Sequence, residues 1–516
     1  MFRKILLAAV ASVSIVGAAL FSNLAPSGNT YYISPTGSDT ANGSVSAPVR
    51  TFSKAFTLTS PGDTLVVSGN WGAQTWNESG VDGNPVNIVG DGAKFTGALT
   101  ITGSRWLNIS GIKFETATNL ITLLDSHFIT FRQNVLDYKT RGILIQEYSS
   151  HILIENNEFY QTCVAGKTWT QLKGSTCEGG AVYGSSYGGG SYYIRGNWVH
   201  DAFNGFLFSD DTSGQWMNSN VFIYENNFAR IVDDPVEPEG DSFNFHVYNN
   251  YMEDTHRLTS ITTSGLGPVF VYNNVQVTVG NPTNEASRLN SGFKIDLSGG
   301  FTNGVYIFNN TIIGNQAANF YGYDMLANKV NKPLTVRNNV YQLNKNVFSS
   351  KPTGVGTYDY DVSNSPLVVV EPNGVQVANL LLSAVGMPQP GSPIIGASTE
   401  VRIAGWFSSP VVIPSGANAG GYQELTVTPL WVTPPNYPSR IPQNSVNFPE
   451  DGGVLPITST AASVTPSPTR TPTSTKTVTP TTPSPTRTPT PIVGVTPVTI
   501  WVNGTPIVCP CNIVIP

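Results

Sequence analysis

The sequence is poor in charge. Only 12% of its 516 residues are Asp, Glu, Lys or Arg, about half the usual share. Coiled coils and helical bundles need abundant Glu and Lys at helical spacing, so both are excluded. Positive charge is not in excess either: 27 basic residues stand against 33 acidic ones, for a net charge of −6. A chain without a basic balance is not built for nucleic acid. Long apolar runs are absent apart from Ile5–Leu20, which follows Arg3 and Lys4. That run is short for a membrane span, so residues 1–25 read as a signal peptide and the mature chain as secreted, with no membrane span. Cysteines number only four. Export permits a disulfide, and Cys163 with Cys177 is expected to staple a surface loop. Cys509-Pro510-Cys511 is too tight for a metal site by itself and is assigned no role.

Glycine and proline are plentiful, at 50 and 37 residues, which points to β structure with many turns. The stretch Thr465–Pro491 is almost entirely Thr, Pro and Ser, and TPSPTRTPT occurs in it twice. Such a segment buries no core, so residues 461–496 are expected to be a disordered Thr/Pro-rich linker. It separates a short terminal segment, 497–516, from a main domain at 30–397 and a Pro-rich C-terminal extension at 398–460.

Within the main domain the sequence repeats. Paired asparagines stand at 156–157, 226–227, 249–250, 273–274, 309–310 and 338–339. Two residues before each pair lie Ile154, Tyr224, Val247, Val271, Ile307 and Val336; four before lie Ile152, Phe222, Phe245, Val269, Val305 and Leu334. Alternation of this kind is a strand with one buried face. Asn suits the left-handed turn that ends it, and stacked Asn side chains can form ladders. Intervals of 23 or 24 residues recur, with longer ones marking insertions, and no amphipathic helix fits between strands. A period this short with several strands per repeat predicts a parallel β-helix, with coils from about Val86 to about Val370.

A second strand per coil begins at Gly142, Gly180, Gly205, Pro235, Ser260 and Gly292. Two residues on, the expected outward row is Leu144, Val182, Leu207, Glu237, Thr262 and Lys294; four on, it includes Glu239 and Asp296. Bland coils thus give way to acidic and basic ones. The densest cluster is Asp233, Asp234, Glu237, Glu239 and Asp241, five carboxylates in nine residues. Oxygen at this density suits Ca²⁺, and Asn204, one coil earlier, offers a further oxygen. Lys294 is expected within reach of this cluster through a bound sugar unit. A divalent cation nearby would disfavour its ammonium form. His200, Arg230, His256, Arg257 and Arg288 form a line of cations suited to the carboxylates of an acidic polymer.

These residues carry a resemblance. Tyr31-Tyr32-Ile33-Ser34-Pro35-Thr36-Gly37-Ser38-Asp39, Ala47-Pro48, Thr51-Phe52-Ser53-Lys54-Ala55 and Pro61-Gly62-Asp63-Thr64 resemble the opening of secreted right-handed parallel β-helix proteins, many of them pectate-lyase-like. Asp233, Asp234 and Glu237 resemble the calcium motif of polysaccharide lyase family nine, and Gly292-Phe293-Lys294 its catalytic-base motif. Three departures stand out: an Asp of the family pattern is Asn204 here, another is Glu237, and a Gly is Pro235. Gly391-Ser392-Pro393-Ile394-Ile395-Gly396-Ala397 resembles a phrase that closes such solenoids.

The expected function is an extracellular, monomeric polysaccharide lyase acting on a uronate polymer. The resemblance implies Ca²⁺ held by Asp233, Asp234, Glu237 and Asn204, with Lys294 as the base; Arg257, Arg288, His256, Glu239 and Asp296 would contact the acidic polysaccharide. Two rivals share the fold. One is a glycoside hydrolase using a carboxylate pair such as Asp210 and Asp234. The other is a non-catalytic glycan-binding surface protein with Tyr248, Tyr272 and Phe308 as its aromatic row.

Overall fold

A computed structural model describes residues 28–399 apart from 186–187, 209–217, 241, 263–265, 286, 298–302, 315–316, 318 and 327–328, and beyond them 401–403, 411–413, 418–421, 498–502 and 505–509. The expected signal peptide, the linker, most of the extension, and Asp210 and Asp241 lie outside the described residues. The chain falls into two units, Met1–Ser459 and Thr460–Pro516. In the second, strands Val498–Val502 and Thr505–Cys509 pair antiparallel.

The first unit is a parallel β-helix, as expected. One column of strands runs through Ser219–Tyr224, Phe243–Tyr248, Val269–Tyr272, Val305–Phe308 and Lys329–Arg337, each paired in parallel with the next. Val247, Val271, Ile307 and Val336 stack in register along it, and all four are fully buried. The ladder starts earlier than the sequence predicts. Strand Thr30–Ile33 pairs with Thr64–Trp71, and that strand pairs with Val86–Phe95. Helix Phe52–Phe56 covers this end of the core, with Phe52 against Trp71 and Trp76.

The strand ends are held by an asparagine ladder. The side-chain amide of Asn134 donates to Oδ1 of Asn157, and the same bond runs on through Asn197, Asn226, Asn250, Asn274, Asn310 and Asn339. The preceding residue takes the left-handed turn: Asn156, Asn249, Asn273, Asn309 and Asn338 all have φ of 55–57°. One coil departs from the expected register. Glu225 takes that turn, with φ 56°, so Asn226 rather than Asn227 enters the ladder. The inward residues there are Val221 and Ile223, while Phe222 and Tyr224 face outward.

The face carrying the second strands has its own register. Ile143 pairs with Val182 and Val182 with Phe206, so Val182 points inward and Tyr183 takes the outward place expected of it. Val236 then pairs with Phe206, which puts Gly205 directly under Pro235. A side chain at Gly205 would collide with the Pro235 carbonyl, so glycine permits the close approach. The seven-stranded sheet ends at Val236–Pro238. Pro235 and Pro238 bring no N–H to a ladder, and pairing resumes only at Thr259–Ile261 in a separate three-stranded sheet with Asn290–Ile295 and Phe320–Met325. Beyond the coils, Leu380, Ile394 and Ala419 pack on Val340 and Val362.

Candidate functional site

The acidic cluster lies at this break between sheets. Asp233 and Asp234 end the turn before strand Val236–Pro238, where the Asp233 N–H donates to the Phe203 carbonyl 2.8 Å away. The Asp234 N–H donates to Oδ1 of Asn204 at 3.0 Å, so the Asn204 amide oxygen, expected as a cation ligand, is engaged in holding the turn. Lys294 arrives from strand Asn290–Ile295, beside Ser260 rather than the expected Thr262. Its Nζ lies 2.8 Å from Oδ2 of Asp234. The Lys294 side chain is 22% exposed and that of Asp234 is 1% exposed. The lysine is therefore the solvent-facing half of a largely buried ion pair.

Asp233 is nearly buried too and has a histidine and a lysine beside it. Nδ1 of His256 is 3.4 Å from its Oδ1, and Nζ of Lys173 is 3.8 Å from its Oδ2. Burial opposes the Asp233 charge, but its polar and charged neighbours, the Lys294 ammonium among them, outweigh it and hold its pKa below the usual carboxylate range. Glu237 shows the opposite balance. Burial, reinforced by the negative charges of Asp234 and Glu239, pushes its pKa well up. Glu239 is raised mainly by burial, against the Thr262 hydroxyl that donates to it; Ser260 donates to the same oxygen at 3.3 Å. One oxygen from Asp233, one from Asp234 and a ring nitrogen of His256 lie within 4.8 Å of one another. Among the described residues this is the group of acidic, His and Cys side chains that converges closely enough to hold a metal ion, and Glu237 is not part of it.

The expected cations divide. Arg257 is 4% exposed and its guanidinium is engaged, donating to the Leu289 carbonyl at 2.7 Å and to Oδ2 of Asp324 at 2.8 Å. Arg288 lies over the Trp169 ring, 3.1 Å from its centre. His200 and Arg230 both bind Asp201. Asp296 is half-buried, and its N–H donates to the Ile261 carbonyl.

Two residues escaped the sequence reading. Lys173 belongs to the loop closed by the Cys163–Cys177 disulfide, which is present as expected. That loop carries helix Trp169–Leu172 and is tied to the insertion before Lys294: the Trp169 N–H donates to the Thr283 carbonyl at 2.9 Å and the Thr170 N–H to Glu285 at 2.7 Å. Loop insertions have no period, so no repeat pattern reports where they fold back. Asp324 pairs with Lys294 one coil on. There a signal existed, because Gly322-Tyr323-Asp324 repeats the glycine–aromatic pattern of Gly292-Phe293-Lys294. The aromatic row of the binding-protein rival exists as a stack, with ring centres 5.0 Å apart from Tyr248 to Tyr272 and from Tyr272 to Phe308. All three are at most 3% exposed, so the row offers no surface to a glycan.

The parallel strand pairing makes the architecture a parallel β-helix. A family model described as a protein of unknown function, DUF1565, matches residues 35–239. No curated protein matches the chain. Among solved structures, the pectate lyase Pel9A is similar at 14% identity, covering 77% of this chain and 96% of its own, with a TM-score of 0.42. An alginate lyase from Paenibacillus sp. is similar at 14% identity, covering 64% of this chain and 97% of its own, with a TM-score of 0.35. XylC in complex with xylose is similar at 11% identity, covering 72% of this chain and 88% of its own, with a TM-score of 0.44. Among the described residues no helix is long and apolar enough to cross a membrane.

Proposed function

We propose that the protein is a secreted polysaccharide lyase that cleaves a uronate-containing polymer by β-elimination. The observation supporting this most is the meeting of Lys294 with Asp233, Asp234, Glu237 and Glu239 at one interruption of the solenoid surface. Abstraction of a proton next to a carboxylate needs a base beside a means of offsetting the substrate's negative charge. Asp233 and Asp234 fit a divalent cation: Oδ1 of Asp234 is buried and has no hydrogen-bond partner among the described residues. Such an ion would supply charge neutralisation at the substrate carboxylate, making the neighbouring C–H more acidic. Lys294, partly open to solvent beside Asp234, would take that proton. While Asp234 is bound to it, Lys294 stays an ammonium; the base role requires Asp234 to be engaged elsewhere. Lys173 and Glu239 border the position and would orient the sugar.

The test is incubation of the full chain with pectate and with alginate, with and without a chelator. The proposal expects an unsaturated product that absorbs ultraviolet light and is abolished by chelation. New reducing ends without that chromophore would overturn it in favour of hydrolysis.

A further inference from the structure

The ion best suited to this site is set by His256. Calcium takes six to eight oxygen ligands. The oxygens expected to supply them do not assemble: Asn204 is turned to the Asp234 N–H, and Glu237 stands outside the converging group. The third donor within 4.8 Å of both aspartates is an imidazole nitrogen.

The hydrogen bonding of the ring says which nitrogen is available. Nε2 of His256 lies 2.8 Å from the Leu289 carbonyl oxygen. A carbonyl only accepts, so Nε2 carries the hydrogen, and Nδ1 is left to present its lone pair. Nδ1 is 3.4 Å from Oδ1 of Asp233 but not aligned for a hydrogen bond, and among the described residues it has no other partner. Oδ1 of Asp234 is likewise without a partner, and His256 and Asp234 are each 1% exposed. Buried acceptors left unpaired are costly unless a cation lies beside them. The Leu289 carbonyl is the kind of outer partner that fixes the tautomer and orientation of a metal-bound histidine.

We infer that Asp233, Asp234 and Nδ1 of His256 bind a first-row divalent transition ion of the zinc class in preference to calcium. Imidazole suits such ions, while Ca²⁺ and Mg²⁺ favour oxygen alone. Three protein ligands leave coordination positions for water or a substrate carboxylate. The inference rests on the reading that these aspartates hold the cation of the proposed lyase, but it is tested by binding, independently of turnover.

The full chain is stripped with a chelator and titrated with Co²⁺, then challenged with Zn²⁺ and with Ca²⁺. The expected result is one equivalent of Co²⁺ with visible ligand-field bands, displaced by Zn²⁺ and not by a large excess of Ca²⁺. His256→Gln should weaken Co²⁺ binding by at least about 100-fold. Asp233→Asn, checked for unchanged circular dichroism, should do the same and covers the case where His256→Gln fails to fold. Equal Co²⁺ affinity in folded His256→Gln, displacement by comparable Ca²⁺, or no bound ion would each overturn the inference. A protein that binds Co²⁺ through His256 but leaves every uronate polymer intact keeps the ion site and loses the lyase reading. Elimination sustained by Ca²⁺ in His256→Gln does the reverse.

Discussion

Nζ of Lys294 rests 2.8 Å from Oδ2 of Asp234, a residue sixty positions earlier in the chain. Stacked coils make such neighbours, because residues a few coils apart differ in height by only about 4.8 Å per coil. The contact sets the protonation of the lysine. Burial works against the ammonium, but Asp234, Glu237 and Asp233 outweigh it and hold the Lys294 pKa above the usual lysine range. Whatever engages Asp234 therefore governs whether Lys294 can accept a proton.

Substitution at Lys294 separates base from binder. Lys294→Arg retains a positive partner for Asp234 and should keep close to the parental melting temperature. Guanidinium does not give up its proton, so β-elimination should fall by about 10²–10⁴-fold all the same. Lys294→Ala should lose as much activity and also about 3 kcal/mol of stability, because it leaves the Asp234 carboxylate buried and unpaired. Ultraviolet absorbance of the product and thermal unfolding read the two effects. An Arg variant with most of the parental rate would make Lys294 a binding residue, and the base would be sought elsewhere.

The inward column gives a stability test. Val271 is fully buried, with Val247 on one side and Ile307 on the other. Val271→Asp puts an unpaired carboxylate there and should cost about 4 kcal/mol or more. Denaturant unfolding measures it, and a loss under about 1 kcal/mol would contradict the register.

A sharper test of register lies in two asparagines that are adjacent in sequence. Oδ1 of Asn226 accepts from the N–H and the side-chain amide of Asn197, and its own amide donates to Ile194, Tyr224 and Asn250. Asn227 is exposed. Asn226→Ala should cost about 3 kcal/mol by stranding buried groups, and Asn227→Ala less than about 0.5 kcal/mol. Comparable losses in the two variants would place both outside the ladder.

This pair also shows what the sequence reveals. Strand columns were legible wherever an Asn in the left-handed turn precedes the ladder Asn, because the pair then marks the phase of the alternation. Glu225 fills the turn in one coil, the pair shifts by one, and a period of two then turns Phe222 and Tyr224 to the wrong face. Asp233, Asp234 and Lys294 were readable because they interrupt a chain with little charge. Lys173 was not, since its loop is an insertion. The engagement of Arg257 by Asp324 and Leu289 depends on side-chain contacts that spacing does not encode.

The far end of the ladder should make stability depend on pH. The amide of Asn339 donates to Oδ1 of Asp361, a carboxyl in the place of the next asparagine. Among the described residues, Oδ2 of Asp361 and Oε1 of Glu371 are both buried without a hydrogen-bond partner. Burial, with the charge of Glu371 beside it, pushes the Asp361 pKa well up. Burial also pushes Glu371 up to about 7, against the Asp361 N–H that donates to it and with Asp359 adding to the rise. The folded state thus holds these protons more tightly than the unfolded chain does. The Glu371 contribution to stability is complete below the ordinary carboxylate range and is lost as pH rises through about 7. The melting temperature of the parent should accordingly fall between about pH 5 and pH 8 relative to that of Glu371→Gln, which keeps an amide at that position and has no proton to lose. Parallel pH profiles for the two proteins would show that folding does not raise the Glu371 pKa.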